Sequence, residues 1–186
     1  MSGTSDGPSS GQLPPSETEQ VSSTDREAVH RQLGRDPRGI VAVSHRCACG
    51  EPDVVMTAPR LPDGAPFPTL HYLTCPRLTG AVSTLEAEGL MRDMQRRLGE
   101  DPELRSQYEK AHESYLAARE RIELVPEIAG VTAGGMPDRV KCLHVLVGHS
   151  LACGPGVNPF GDEALVVLAD RGLVHGPTCA ERSSIA

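Results

Sequence analysis

Tryptophan is absent from this 186-residue chain, and two phenylalanines and three tyrosines complete its aromatics. Proteins that hold single-stranded nucleic acid stack bases on aromatic side chains, so that class is excluded. Lysine is scarce as well. Two lysines stand against sixteen arginines, a ratio that reads as a high-GC coding bias, and the net charge is −7 with no basic run. That balance argues against nucleic-acid partners in general. No stretch approaches the roughly 18 apolar residues of a membrane span. The N-terminus lacks the basic and apolar regions of a signal peptide. Together these absences imply a cytoplasmic protein with no membrane or nucleic-acid partner, whose six cysteines stay reduced.

Residues 1–23 are Ser, Gly, Pro, Thr and acid, and read as a disordered acidic tail. Residues 24–175 are long enough for a single domain, and 176–186 read as a frayed C-terminus. A short helix follows the tail, with Thr24 and Glu27 at capping-box spacing and Gly34 at its C-terminal cap. GIVAVSHRC (39–47), DVVMT (53–57) and TLHYLTC (69–75) are β-branched or apolar runs bounded by turn residues, hence three strands. Between the last two lies APRLPDGAPFPTL, whose prolines forbid helix and interior strand alike.

The apolar period then changes from two to 3.6. Val82, Leu85, Met91, Met94 and Leu98 mark one helix. Asp101-Pro102 opens the next, with a stripe of Leu104, Tyr108, Ala111, Tyr115, Ala118 and Ile122. The two read as an antiparallel hairpin over 81–122, joined at Gly99. GGMPDRVKCLHVLVGH (134–149) reads as a fourth helix with Pro137 in its first position. Phe160 to Leu173 reads as a fifth, which Asn158 and Asp162 turn and cap. The fold class is α+β: a small three-stranded antiparallel sheet packed against about four to five helices.

The strings TAPRLPDGAPFPTLHYLTCPRL and GGMPDRVKCLHVL resemble the two signatures of a bacterial family, domain of unknown function 501. The resemblance runs from about Arg31 to about Leu168. It implies a small soluble protein and carries no activity, substrate or cofactor with it, so function has to come from the residues.

Three chemistries compete. The first is an anion site. Helix N-termini present free N–H groups and a positive dipole end. Gly134 and Gly135 open the backbone, and a helix over 134–149 places Arg139 and Lys141 in its first turn, where cations are disfavoured unless an anion is bound. Arg60, in the Pro-rich loop 58–68, is the third cation. On this reading the chain binds a phosphate- or carboxylate-bearing small molecule between that loop and residues 134–141. GGxP is no P-loop, because no Gly-Lys-Ser/Thr follows.

The second chemistry is zinc. Cys47 and Cys49 alternate at the end of a strand, and His149 and Cys153 share a helix face at i and i+4, a four-ligand set of ordinary type. Cys142 and His144 are excluded from a shared ion if both lie in a regular helix, since about 200° then separates them. The third is a Cys142 nucleophile, next to Lys141 and near Arg139. Its base would have to come from elsewhere, such as His71 or His112, because His144 lies on the far side of such a helix, on the apolar face of Val140, Val147 and Leu151. His112-Glu113 is no zincin motif, since Leu116 stands where the second histidine belongs. A non-catalytic reading also stands, with the helical hairpin 81–122 docking on a partner protein. Whether the chain is an enzyme stays open.

Overall fold

A computed structural model describes residues 20–173. The expected tail, apart from its last residues, and the expected frayed end at 176–186 lie outside the described residues. Three strands form one antiparallel sheet in the order β1 (Ile40–Arg46), β2 (Pro52–Thr57), β3 (His71–Leu73). Six α-helices lie around it among the described residues: α1 (Ser23–Leu33), α2 (Pro76–Glu88), α3 (Leu90–Glu100), α4 (Pro102–Glu120), α5 (Leu143–Cys153) and α6 (Pro159–Asp170). None is long and apolar enough to cross a membrane. The architecture is the α+β class that the change of period implied.

The boundaries differ in instructive ways. The cap of α1 lies two residues before the expected one, Thr24. Ser22 caps it in a complete capping box with Asp25, whose buried carboxylate also receives Arg46 at 2.7 and 3.1 Å. Both frames fit the motif, and the tertiary ion pair selects Ser22. The helix expected to run through 82–98 is broken at Gly89, which takes φ 89° and ends α2 with its N–H on the carbonyls of Leu85 and Glu86. Val82, Leu85, Met94 and Leu98 are buried on both sides of the break, so the apolar period gives no sign of it. The joint between α3 and α4 is Asp101, not Gly99, which lies inside α3. Asp101 accepts from the N–H groups of Glu103 and Leu104, the cap expected before Pro102.

The apolar stripe of α4 is consumed inside the chain. Tyr108, Ala111 and Tyr115 are buried, and Leu104, Ala118 and Ile122 pack on the same core. Phe160 of α6 stacks edge-on against Tyr108 at 4.9 Å. Helix α5 is buried nearly all round, from Leu143 to Ala152, and lies across β3 at close range. Gly148 permits this, since a Cβ there would sit 2.8 Å from the backbone oxygen of His71. Gly161 does the same for α6, where a Cβ would overlap the Leu146 carbonyl and the Ser150 hydroxyl.

Candidate functional site

The chemistry gathers at the start of α5, and the backbone before it decides how. Residues 139–141 do not belong to a helix. Lys141 N–H bonds the Gly134 carbonyl and Arg139 N–H the Gly135 carbonyl, each at 2.9 Å. Val140 N–H goes to Gln95 of α3, and Tyr108 of α4 donates to the Arg139 carbonyl. These ties hold the segment outside the helix, and α5 begins only at Leu143. The expectation of a helix starting at Pro137 is therefore corrected. Pro137 instead follows a cis peptide bond inside a turn.

Cys142 is the N-cap residue, with extended backbone at φ −152° and ψ 111°, and it makes no side-chain cap. Glu86 of α2 supplies the anion instead. Its Oε1 accepts from Leu143 N–H at 2.7 Å and stands 3.2 Å from Nδ1 of His144. A carboxylate at this dipole end is stabilising. The helix terminus on which the anion reading rested is thus filled from within the chain.

Because Cys142 stands one step outside the helix, the angular argument against Cys142 and His144 fails. The Cys142 sulfur lies 3.9 Å from His144 Nδ1. Glu86, Cys142 and His144 each offer one ligand atom, all within 4.8 Å of one another, and all three are partly exposed. The other ring nitrogen, Nε2, lies 3.2 Å from the Thr79 carbonyl and 3.3 Å from the Ser83 hydroxyl. His144 thus meets acceptors on both sides. Its imidazole is held up at about 9, first by the Cys142 sulfur and then by the Glu86 carboxylate, against the opposing effect of burial. His144 is therefore no plain core histidine, although it shares the apolar face of α5.

The other expected residues fall elsewhere. Gly134 and Gly135 have packing reasons: a Cβ at 134 would press on Val145 and Leu146, and one at 135 on Arg139 and Lys141. Arg60 chelates Glu127 at 3.0 and 2.9 Å and bonds the Gly64 carbonyl, which ties the Pro-rich loop to a short 3-10 turn, Pro126–Ile128. Arg139 and Lys141 are exposed. Of the expected zinc ligands, Cys47 and Cys49 are neighbours at the end of β1, with their sulfurs 3.1 Å apart. His149 is fully buried, stacked on His71 at 5.8 Å, while Cys153 is exposed at the end of α5. Among the described residues these four do not form a cluster of ligand distance; Glu86, Cys142 and His144 do. Glu86 escaped the sequence reading because nothing local marks a residue whose partner lies 57 positions away.

Among the described residues, a carboxylate on α2 meets a thiol and an imidazole at the start of α5. The chain belongs to the family described as Protein of unknown function (DUF501), whose model matches residues 43–166. No curated protein and no solved structure matches it.

Proposed function

We propose that this protein is a metal-binding domain that holds one divalent ion of the zinc class through Glu86, Cys142 and His144. The observation that carries the reading is the convergence of three different donor atoms within 4.8 Å. Sulfur, nitrogen and oxygen donors together suit zinc, and three protein ligands leave the fourth tetrahedral position to water or a ligand. The surroundings fit the same reading. Metal-bound histidines donate their second N–H to a carbonyl or carboxylate, and ligating carboxylates are themselves hydrogen-bonded. His144 Nε2 faces the Thr79 carbonyl, and Glu86 accepts from Leu143 N–H.

Protein purified without chelator is expected to carry close to one zinc per chain. Cobalt substitution is expected to give a thiolate charge-transfer band. Cys142→Ser is expected to remove that band and to weaken metal binding by at least about 100-fold, since losing a ligand costs no less than losing an outer-shell partner of one. Cys47→Ser leaves both unchanged. A protein that takes up no zinc from excess metal, or that loses its zinc with Cys47 and not Cys142, sinks the proposal.

A second reading, an anionic small molecule bound by Arg139 and Lys141, keeps one observation in its favour. The Cβ atoms of Arg139 and Lys141 stand 3.1 and 2.9 Å from where a Gly135 Cβ would be, so the two exposed cations leave the backbone close to each other. Phosphate is then expected to raise the melting temperature beyond chloride of equal ionic strength, by mass action. The double change Arg139→Ala with Lys141→Ala is expected to erase the increment. An equal increment in both proteins refutes this reading and leaves the metal proposal untouched.

A further inference from the structure

The turn between β1 and β2 holds a second pair of sulfurs, remote in chain and in role from Cys142. Its sequence is Cys47-Ala48-Cys49-Gly50. Gly50 N–H bonds the Cys47 carbonyl at 2.8 Å, which closes a four-residue turn, and Gly50 takes φ 85° as it leaves. Such a turn brings its first and fourth residues together, and Cys47 and Cys49 are its first and third. Cys47 Sγ accepts from the Cys49 backbone N–H at 3.4 Å and lies 3.1 Å from the Cys49 sulfur. Both cysteines are partly exposed.

The frame that carries this turn is rigid. Arg46 bonds the Gly50 carbonyl at 3.1 Å and pairs with Asp25 of α1. Arg31 of α1 reaches Glu51 at 2.8 Å, and Gln32 donates to the Pro52 carbonyl. The Cys47 N–H closes the other side on the Glu51 carbonyl. Two thiols are therefore held in contact by backbone and ion pairs that would survive without them.

We propose that Cys47 and Cys49 form a reversible dithiol–disulfide couple, a redox modification site that exchanges with low-molecular-weight disulfides. The Cys49 backbone N–H aimed at the Cys47 sulfur assigns Cys47 as the attacking group. Its thiolate attacks one sulfur of the small disulfide, breaking that S–S bond. A mixed disulfide forms and one small thiolate leaves. The Cys49 thiolate then attacks the Cys47 sulfur, forms the intramolecular S–S bond and expels the second small thiolate. The two protons given up by the cysteines end on the two released thiols. The protein is oxidised by two electrons and the small disulfide is reduced. Closing a loop of three residues removes little chain entropy, so the bond adds little stability and is readily reduced again. That property suits a switch and not a staple.

The test treats the folded full-length protein with oxidised glutathione, quenches with an alkylating agent and maps the cysteines by mass spectrometry. The peptide carrying Cys47 and Cys49 is expected to lose two hydrogens and to escape alkylation, and dithiothreitol is expected to restore it. Cys49→Ser is expected to accumulate a glutathione adduct on Cys47, since nothing resolves it. Cys47→Ser is expected to react at least about tenfold more slowly at the remaining site, having lost the sulfur that receives the hydrogen bond. Wild-type protein whose Cys47 and Cys49 stay fully alkylated in that buffer overturns the proposal. So does a stable glutathione adduct in the wild type, or one that forms on Cys49 in Cys47→Ser as fast as on Cys47 in Cys49→Ser.

Discussion

Between about pH 7 and pH 5 two histidines at the centre of the molecule are expected to remove about 4 kcal/mol of stability, about 2 kcal/mol each. His71 on β3 and His149 on α5 stack at 5.8 Å with their planes 8° apart, and Tyr115 meets both rings edge-on. Ser44 lies 3.3 Å from His71 Nδ1, and Asn158 lies 3.3 Å from His149 Nδ1. Neither Nε2 atom has a hydrogen-bond partner. Burial, and then the charge of His149, pushes His71 down to about 3. Burial pushes His149 down to about 4, and Asp162 opposes it weakly. Both folded values lie below the ordinary histidine value near 6.5, so the unfolded chain takes up protons first as pH falls. The contribution is complete above about 6.5, declines as pH drops from there, and is gone below the folded values. Denaturant unfolding at several pH values measures it. His71→Phe is expected to flatten the profile by about half, and the comparison with wild type cancels every other titrating group. A variant with the same acid slope as wild type places the loss elsewhere.

Arg119→Met is expected to cost about 3–5 kcal/mol, because it strips buried carbonyls of their donor. Arg119 of α4 is only 2 % exposed. Its guanidinium donates to the carbonyls of Pro68, Ile128 and Val131, which end the Pro-rich loop and frame the segment leading to Gly134. Methionine fills much of the space and offers no N–H. Arg119→Lys is expected to recover part of the loss, since one ammonium cannot span three acceptors as the planar fork does. Urea midpoints for the three proteins decide it. A methionine variant within about 1 kcal/mol of wild type would mean that water satisfies these carbonyls as well as Arg119 does.

The two residues that hold the core's polar centre show where sequence reading stops. Tyr115 was legible as a stripe residue of a helix, because 3.6-residue periodicity is written in consecutive side chains. Its hydroxyl's partner, the Leu70 N–H, was not, since 45 positions separate them. His149 was legible as a chemically capable group. That it lies against His71, and not with Cys47 and Cys49, depends on how α5 crosses β3. That crossing is set by Gly148 and by the side chains beneath it.

The sequence by itself determined the change from strand to helix period, the three strands, the caps at Gly34, Asp101 and Asn158, and the family. All of these rest on short-range rules: side-chain periodicity, proline's missing donor, and caps three residues away. Tertiary structure alone decided the break at Gly89 and the start of α5 at Leu143 instead of Pro137. It also decided the meeting of Glu86 with Cys142 and His144. The physical reason is the same in each case. Local propensities differ by about 1 kcal/mol or less per residue, and a few long-range hydrogen bonds outweigh them. Here those bonds run from Gln95 to Val140, from Tyr108 to Arg139 and from Glu86 to Leu143. They hold one cysteine a single residue outside a helix, and that displacement turns an unremarkable Cys-x-His into a cluster able to hold a metal ion.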